Sequence, residues 1–225
     1  MKAAAAAKTL GSMLVLVLAF VGSARGSVIT FGLVVEYSGA TPPAGTVPPP
    51  WLTVTIDDGA DDTDGIVTLT LAATNLTADE KVKEWLLNLD SAFSAANLAF
   101  TKVGTTGTFN DPAINKGTNA YQAAGDGMYD IQFAFDYAGN ATQTFGAGES
   151  IQYTVTLSSG GTLKAESFNV LSTSAGGQGP FLTVAHVQGI GEDNEGSGSV
   201  TTPEPATLVL LGLGGAGLVL SRRRR

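Results

Sequence analysis

The sequence predicts an all-β fold, an antiparallel two-sheet β-sandwich, flanked by an N-terminal signal peptide and a C-terminal single transmembrane helix. Three observations carry this. Apolar residues alternate with period two through most of the middle of the chain, the signature of half-buried strands. The charges segregate: all 20 acids lie between Glu36 and Glu204, while Lys2, Lys8 and Arg25 precede the first and Arg222–Arg225 follow the last. Both ends are apolar and border those basic residues. The expected division is a signal peptide over 1–26, a β-sandwich over 27–202 and a C-terminal segment over 203–225.

At the N-terminus, Lys2 and Lys8 precede an apolar run from Leu10 to Val21. Gly22-Ser23-Ala24 and Ala24-Arg25-Gly26 then both place small residues three and one before a cut. This is the order of a secretory signal, cleaved after Ala24 or Gly26. The run is 12 residues long, short of the ~20 that span a bilayer comfortably.

In the body, Leu52, Val54 and Ile56 alternate with Thr53 and Thr55, and Val67, Leu69 and Leu71 with Thr68 and Thr70. Tyr129, Ile131, Phe133 and Phe135, and then Ile151, Tyr153, Val155 and Leu157, repeat the pattern. Further strands are expected at 28–37, 98–103, 162–169 and 181–188, with Gly- and Pro-rich stretches between, including Gly104–Gly127. Thr77-x-x-Glu80 reads as a capping box, so one helical turn is expected near 77–81, then a strand at 83–89. Eight to ten short strands without intervening helices argue a sandwich.

Composition excludes several chemistries. No Cys rules out disulfides, thiol nucleophiles and Cys-ligated metals, and a single His rules out multi-His metal sites. A net charge of −8 argues against nucleic-acid binding.

Asp57, Asp58, Asp61, Asp62 and Asp64 crowd one loop with Gly59 and Gly65. Dense carboxylates suit Ca²⁺, which takes 6–8 oxygens. An EF-hand placement fails, because Gly65 in sixth position puts Ala60 first and Leu71 twelfth. The reading taken is a solvated acidic turn, with no metal and no cofactor. His186 lacks a G-x-S-x-G partner and reads as a hydrogen-bonded structural residue, sharing a strand face with Val184. Asp126, Asp130 and Asp136 are candidates for a glycosidase pair, but nothing in the sequence selects two of them. Trp51, Trp85 and Tyr137 could stack on a sugar, although such aromatics commonly fill sandwich cores. No catalytic residue is assigned, and the chain is expected not to be an enzyme.

The C-terminus reads Pro203-Glu204-Pro205-Ala206-Thr207, a Gly-rich apolar stretch and Ser221-Arg222-Arg223-Arg224-Arg225. Residues 206–220 are uncharged. As a helix they would reach about 22 Å, enough to cross a thinned bilayer with Arg222–Arg225 held on the cytoplasmic side. Each Pro disfavours helix before it, which would leave the triplet extended just outside the membrane.

This tail resembles the PEP-CTERM sorting signal. The resemblance maps onto Pro203, Glu204, Pro205 and Arg222, Arg223, Arg224 and Arg225, and covers about 25 residues. It implies export through the inner membrane of a Gram-negative bacterium that makes extracellular polysaccharide. It also implies processing by an exosortase, an integral-membrane cysteine-type transpeptidase. The protein would be held in the inner membrane before processing, then placed at the cell surface or outside the cell. In a bacterium the sequons Asn75-Leu76-Thr77 and Asn140-Ala141-Thr142 carry little meaning. The body also resembles other proteins with this tail, at Trp51, Asn88-Leu89-Asp90, Gly125-Asp126-Gly127, Gly179-Pro180-Phe181 and His186-Val187-Gln188. That likeness brings no activity with it. The expected role is a structural or interaction protein of the surface or matrix, with extracellular polysaccharide as a candidate partner. The alternative is an exported carbohydrate-binding module or carbohydrate-active enzyme.

Overall fold

The computed structural model describes residues 26–44, 50–60, 63–136 and 143–203. Eleven strands form two antiparallel sheets among them. They are β1 (Val28–Leu33), β2 (Val35–Glu36), β3 (Leu52–Asp57), β4 (Val67–Ala72), β5 (Lys81–Leu87), β6 (Leu98–Thr106), β7 (Ala113–Gln122), β8 (Met128–Ala134), β9 (Ser150–Leu157), β10 (Thr183–Ile190) and β11 (Gly196–Thr201). The first sheet has the order β1-β3-β4-β9-β6 and the second β2-β11-β10-β5-β8-β7. Residues 1–25 of the expected signal peptide, the segment 206–220 and Arg222–Arg225 lie outside the described residues. No helix among the described residues is long and apolar enough to cross a membrane.

The core sits between the sheets where the alternation puts it. Leu52, Val54, Ile56, Val67, Leu69 and Leu71 are fully buried from one side, and Trp85, Leu87, Ile131, Phe133, Ala185 and Val187 from the other. Phe133 of the second sheet meets Phe100 edge-on at 5.6 Å and Tyr153 at 5.7 Å, both of the first. Such pairs add about 0.5–1.5 kcal/mol each beyond the area they bury.

One long strand belongs to both sheets. β1 pairs with β3, and two residues later β2 pairs with β11. The switch falls at Val34, whose N–H donates to the Thr201 carbonyl at 2.9 Å. The expected single strand over 28–37 is therefore bent, and its bend closes one side of the sandwich.

Other expectations need correction. The segment 162–169 is not a strand but a 3-10 turn at Ala165–Phe168. Leu163, Ala165 and Ser167 are buried in alternation but the likewise buried Phe168 breaks it, and the Ser167 hydroxyl accepts from the Lys164 N–H at 3.1 Å. No helical turn forms at 77–81. Glu80 does accept from the Thr77 N–H at 2.8 Å, as a capping box would, but its other oxygen accepts from the Ala44 N–H at 2.5 Å. The chain enters β5 at Lys81 directly. Gly104–Gly127 is not all loop, since it contains the end of β6 and the whole of β7.

Two strands had no alternation to reveal them. β7 is an edge strand exposed along most of its length, with a pairing irregularity between Lys116 and Tyr121. β11 reads Gly-Ser-Gly-Ser-Val-Thr, yet its last four residues are buried. A Cβ on Gly198 would come within 3.2 Å of the Thr41 carbonyl. The outer face of the second sheet is covered there by chain, and only small residues fit beneath it.

That cover makes a second, smaller core. Leu86 and Val184 face each other across β5 and β10, on the side opposite Trp85 and Ala185. They pack with Tyr37, Ala123, Tyr129 and Phe181. Burial pushes the Tyr37 and Tyr129 hydroxyls far above the ordinary phenol range.

Candidate functional site

The C-terminal motif begins where the fold ends. β11 runs between β2 and β10, so Thr201 is paired with Val35 on one side and Val184 on the other. Its hydroxyl donates to the Thr183 carbonyl at 2.8 Å, and its carbonyl accepts from Val34. Thr201 and Thr202 are both buried, and Pro203 is the first exposed residue. Thr183 is fixed in turn: its hydroxyl donates to the Leu86 carbonyl at 2.8 Å and accepts from the Trp85 indole at 3.0 Å. A chain of hydrogen bonds thus ties the start of the motif to the centre of the core. Glu204 to Arg225 lie outside the described residues.

The acidic loop divides. Asp58 is turned inward, where it accepts from the Ser27 N–H, from the Ser27 hydroxyl at 3.2 Å and from the Ala165 N–H at 3.1 Å. Burial opposes its ionisation, but these donors win and hold the carboxyl below the usual carboxylate range. Asp57 and Asp64 close turns on themselves, accepting from the N–H groups of Gly59 and Ile66. Asp61 and Asp62 lie outside the described residues. Among the described residues no three His, Cys, Asp or Glu gather as a metal would need.

Each of the glycosidase candidates is engaged by a hydrogen-bond donor of the fold. The Gln178 N–H donates to Asp126 at 2.7 Å, and those of Leu89 and Asn119 to the two oxygens of Asp130. Asp136 accepts from the Asn110 amide at 3.1 Å. Asp130 and Asp136 are six residues apart along β8 and its extension, about 20 Å at the strand rise, against the roughly 5–10 Å a catalytic pair requires. Trp85 is fully buried and Trp51 nearly so, which places both in the core. Tyr137 lies outside the described residues.

His186 is half-buried on the outer face of β10. The Ser199 hydroxyl is 3.4 Å from its Nδ1 and the Gln188 amide 3.5 Å from its Nε2. Burial pulls the imidazole below the ordinary histidine range, opposed by Glu84 on the facing strand. Ser199 is itself buried.

A groove of about 710 Å³ opens at the end of the second sheet where β11 finishes. Asn88–Ala95, Thr118, Asn119, Asp130, Val170, Leu171 and Thr173 line it. Phe93 is its only aromatic residue, and one oxygen of Asp90 and both oxygens of Asp130 already accept backbone N–H groups.

Residues 201–225 match the family model described as the PEP-CTERM protein-sorting motif. The chain carries that sorting signal. No curated protein and no solved structure matches the chain. The PEP-CTERM motif implies processing by exosortase, and with it export and sorting to the cell surface in Gram-negative bacteria. The match opens at Thr201, the last residue of β11, so sorting signal and folded body share a residue. Sequence reasoning did not single out Val34, Val35, Thr201 or Thr202. Only the strand crossover brings the first two beside the motif, and a Gly-Ser-rich strand hides the others.

Proposed function

We propose that the protein is a non-catalytic component of the cell surface or extracellular matrix, exported by its signal peptide and delivered through its PEP-CTERM motif. Before processing, the segment 206–220 anchors it in the inner membrane. The observation that carries the reading is the motif match, which begins on the last residue of a folded domain. What supports a non-catalytic body is the engagement of its candidate carboxylates by backbone N–H donors and the burial of both tryptophans.

The test is replacement of Glu204 by Ala in the native host, followed by fractionation and intact mass. The variant keeps its apolar segment and remains in the membrane fraction at full C-terminal length, while the unmodified chain is processed. An unmodified chain that stays at full length in a host making exosortase refutes the reading.

A second reading is favoured by one observation, the groove beside Asn88–Ala95. Its hydroxyl and amide rim, with Phe93 and Leu171 alongside, offers the mixture of polar and apolar contact that a neutral glycan takes. Calorimetry of the chain with neutral oligosaccharides tests it, and saturable heat lost on replacing Asn119 by Ala would favour it.

A further inference from the structure

The folded body leaves the processing enzyme no spacer to work on, and this has a geometric consequence. Thr202 is buried, and Glu204 is two residues beyond it. Two residues reach at most ~7 Å. A stable protein–protein contact covers about 800 Å² on each partner, a disc of roughly 16 Å radius. A contact centred on Glu204 must therefore extend several ångströms onto the body.

The surface it meets there is apolar. Val35, paired with Thr201, is one of the few large apolar residues exposed among the described residues, at 38%. Val34, bonded to the Thr201 carbonyl, is partly exposed beside it. Leu182, partly buried against the main core, flanks the other side, next to the Thr183 carbonyl that holds the Thr201 hydroxyl. Val34 and Val35 are the strand crossover itself, so strand pairing fixes their position relative to Thr201, the first residue of the motif.

Resting on the sorting reading, we infer that the rim Val34, Val35 and Leu182 is a docking surface for the processing enzyme, and that exosortase recognises this folded edge together with the Pro203-Glu204-Pro205 triplet. The occupant is a membrane-embedded peptide-cleaving enzyme with an uncharged, apolar edge around its substrate entrance. The short tether favours that occupant, because whatever holds Glu204 already lies against the rim.

The experiment follows processing of the full chain in the native host by pulse-chase and intact mass. Val35→Glu and Val35→Lys are compared with Val103→Glu, which changes another exposed valine, on β6 at the far edge of the first sheet. Each is also made with eight Gly/Ser residues inserted between Thr202 and Pro203. The expected result is a fivefold or greater slowing by both Val35 variants at native spacing and none by Val103→Glu. With the insertion, the chain is processed slowly whatever occupies position 35, because the rim no longer reaches the enzyme. Unchanged processing of the Val35 variants at native spacing overturns the inference and leaves sorting intact. So does equal slowing by Val103→Glu, or a Val35 effect that persists behind the insertion. A melting temperature of the Val35 variants within about 2 °C of the unmodified chain is part of the expected result, and a larger fall overturns the docking explanation. Absence of processing in the unmodified chain would instead overturn the sorting reading.

Discussion

Replacing Asp58 separates a structural role for the acidic loop from a cation-binding one. Asp58→Ala removes the acceptor for the N–H of Ala165, which is fully buried, and for the N–H and hydroxyl of Ser27. A hydrogen bond to a charged acceptor contributes about 1.5–3 kcal/mol, and a buried donor left unpaired costs about 1–3 kcal/mol. Ser27 is half-exposed and recovers water, so the loss should be about 2–4 kcal/mol. For a domain of this size that is a fall in melting temperature of roughly 5–15 °C. Asp58→Asn keeps a carbonyl oxygen and should lose about half as much. The pH dependence has a definite sign. The folded carboxyl titrates below its unfolded value near 3.9. Its contribution is therefore complete above about pH 5 and is lost as pH falls through the folded pKa. The unmodified chain should lose stability in that acid range, and Asp58→Asn should lose less. Thermal and urea unfolding of the purified chain in detergent, between pH 3 and 7, checks both. A destabilisation by Asp58→Ala below about 0.5 kcal/mol would show that the inward hydrogen bonds do not form.

Three further outcomes are expected. Trp85→Ala should destabilise by about 3–5 kcal/mol, since Trp85 is fully buried and its indole holds Thr183; a cost under 1 kcal/mol in urea unfolding would contradict its place in the core. Millimolar Ca²⁺ should leave the melting temperature unchanged within about 1 °C, because with Asp58 turned inward the loop loses one of its five carboxylates as a ligand. A rise of several degrees that disappears when Asp62 and Asp64 are replaced by Asn would overturn this. Leu16→Arg should retain the protein in the cytoplasm, because a charge in the apolar run opposes insertion, and normal secretion of that variant would refute the signal peptide.

Period-two alternation in 52–57, 67–71, 129–135 and 151–157 was enough to read four strands and their buried faces, because a half-exposed sheet writes its two environments on alternate residues. The tail was legible for a different reason. A sorting signal is read by other molecules as linear chain, so Pro-Glu-Pro, an uncharged stretch and Arg222–Arg225 appear in order. Where both faces of a strand have the same surroundings the signal vanishes. β7 is exposed on both, and β11 is buried beneath the segment that carries Tyr37 and Thr41, so neither alternates. The turn at Ala165–Phe168 was misread because its apolar residues serve a corner rather than a face. The inward turn of Asp58 depends on donors 31 and 107 residues away, and no local pattern records them. The crossover at Val34 is likewise a tertiary event: it sets β2 against β11 and thereby places Val34 and Val35 beside the first residue of the sorting motif. The sequence alone determined that the chain is addressed and that its body is a sandwich. Only long-range strand pairing decided that the address begins inside that sandwich, because which edge lies beside Thr201 follows from strand order, a property that neighbouring residues do not encode.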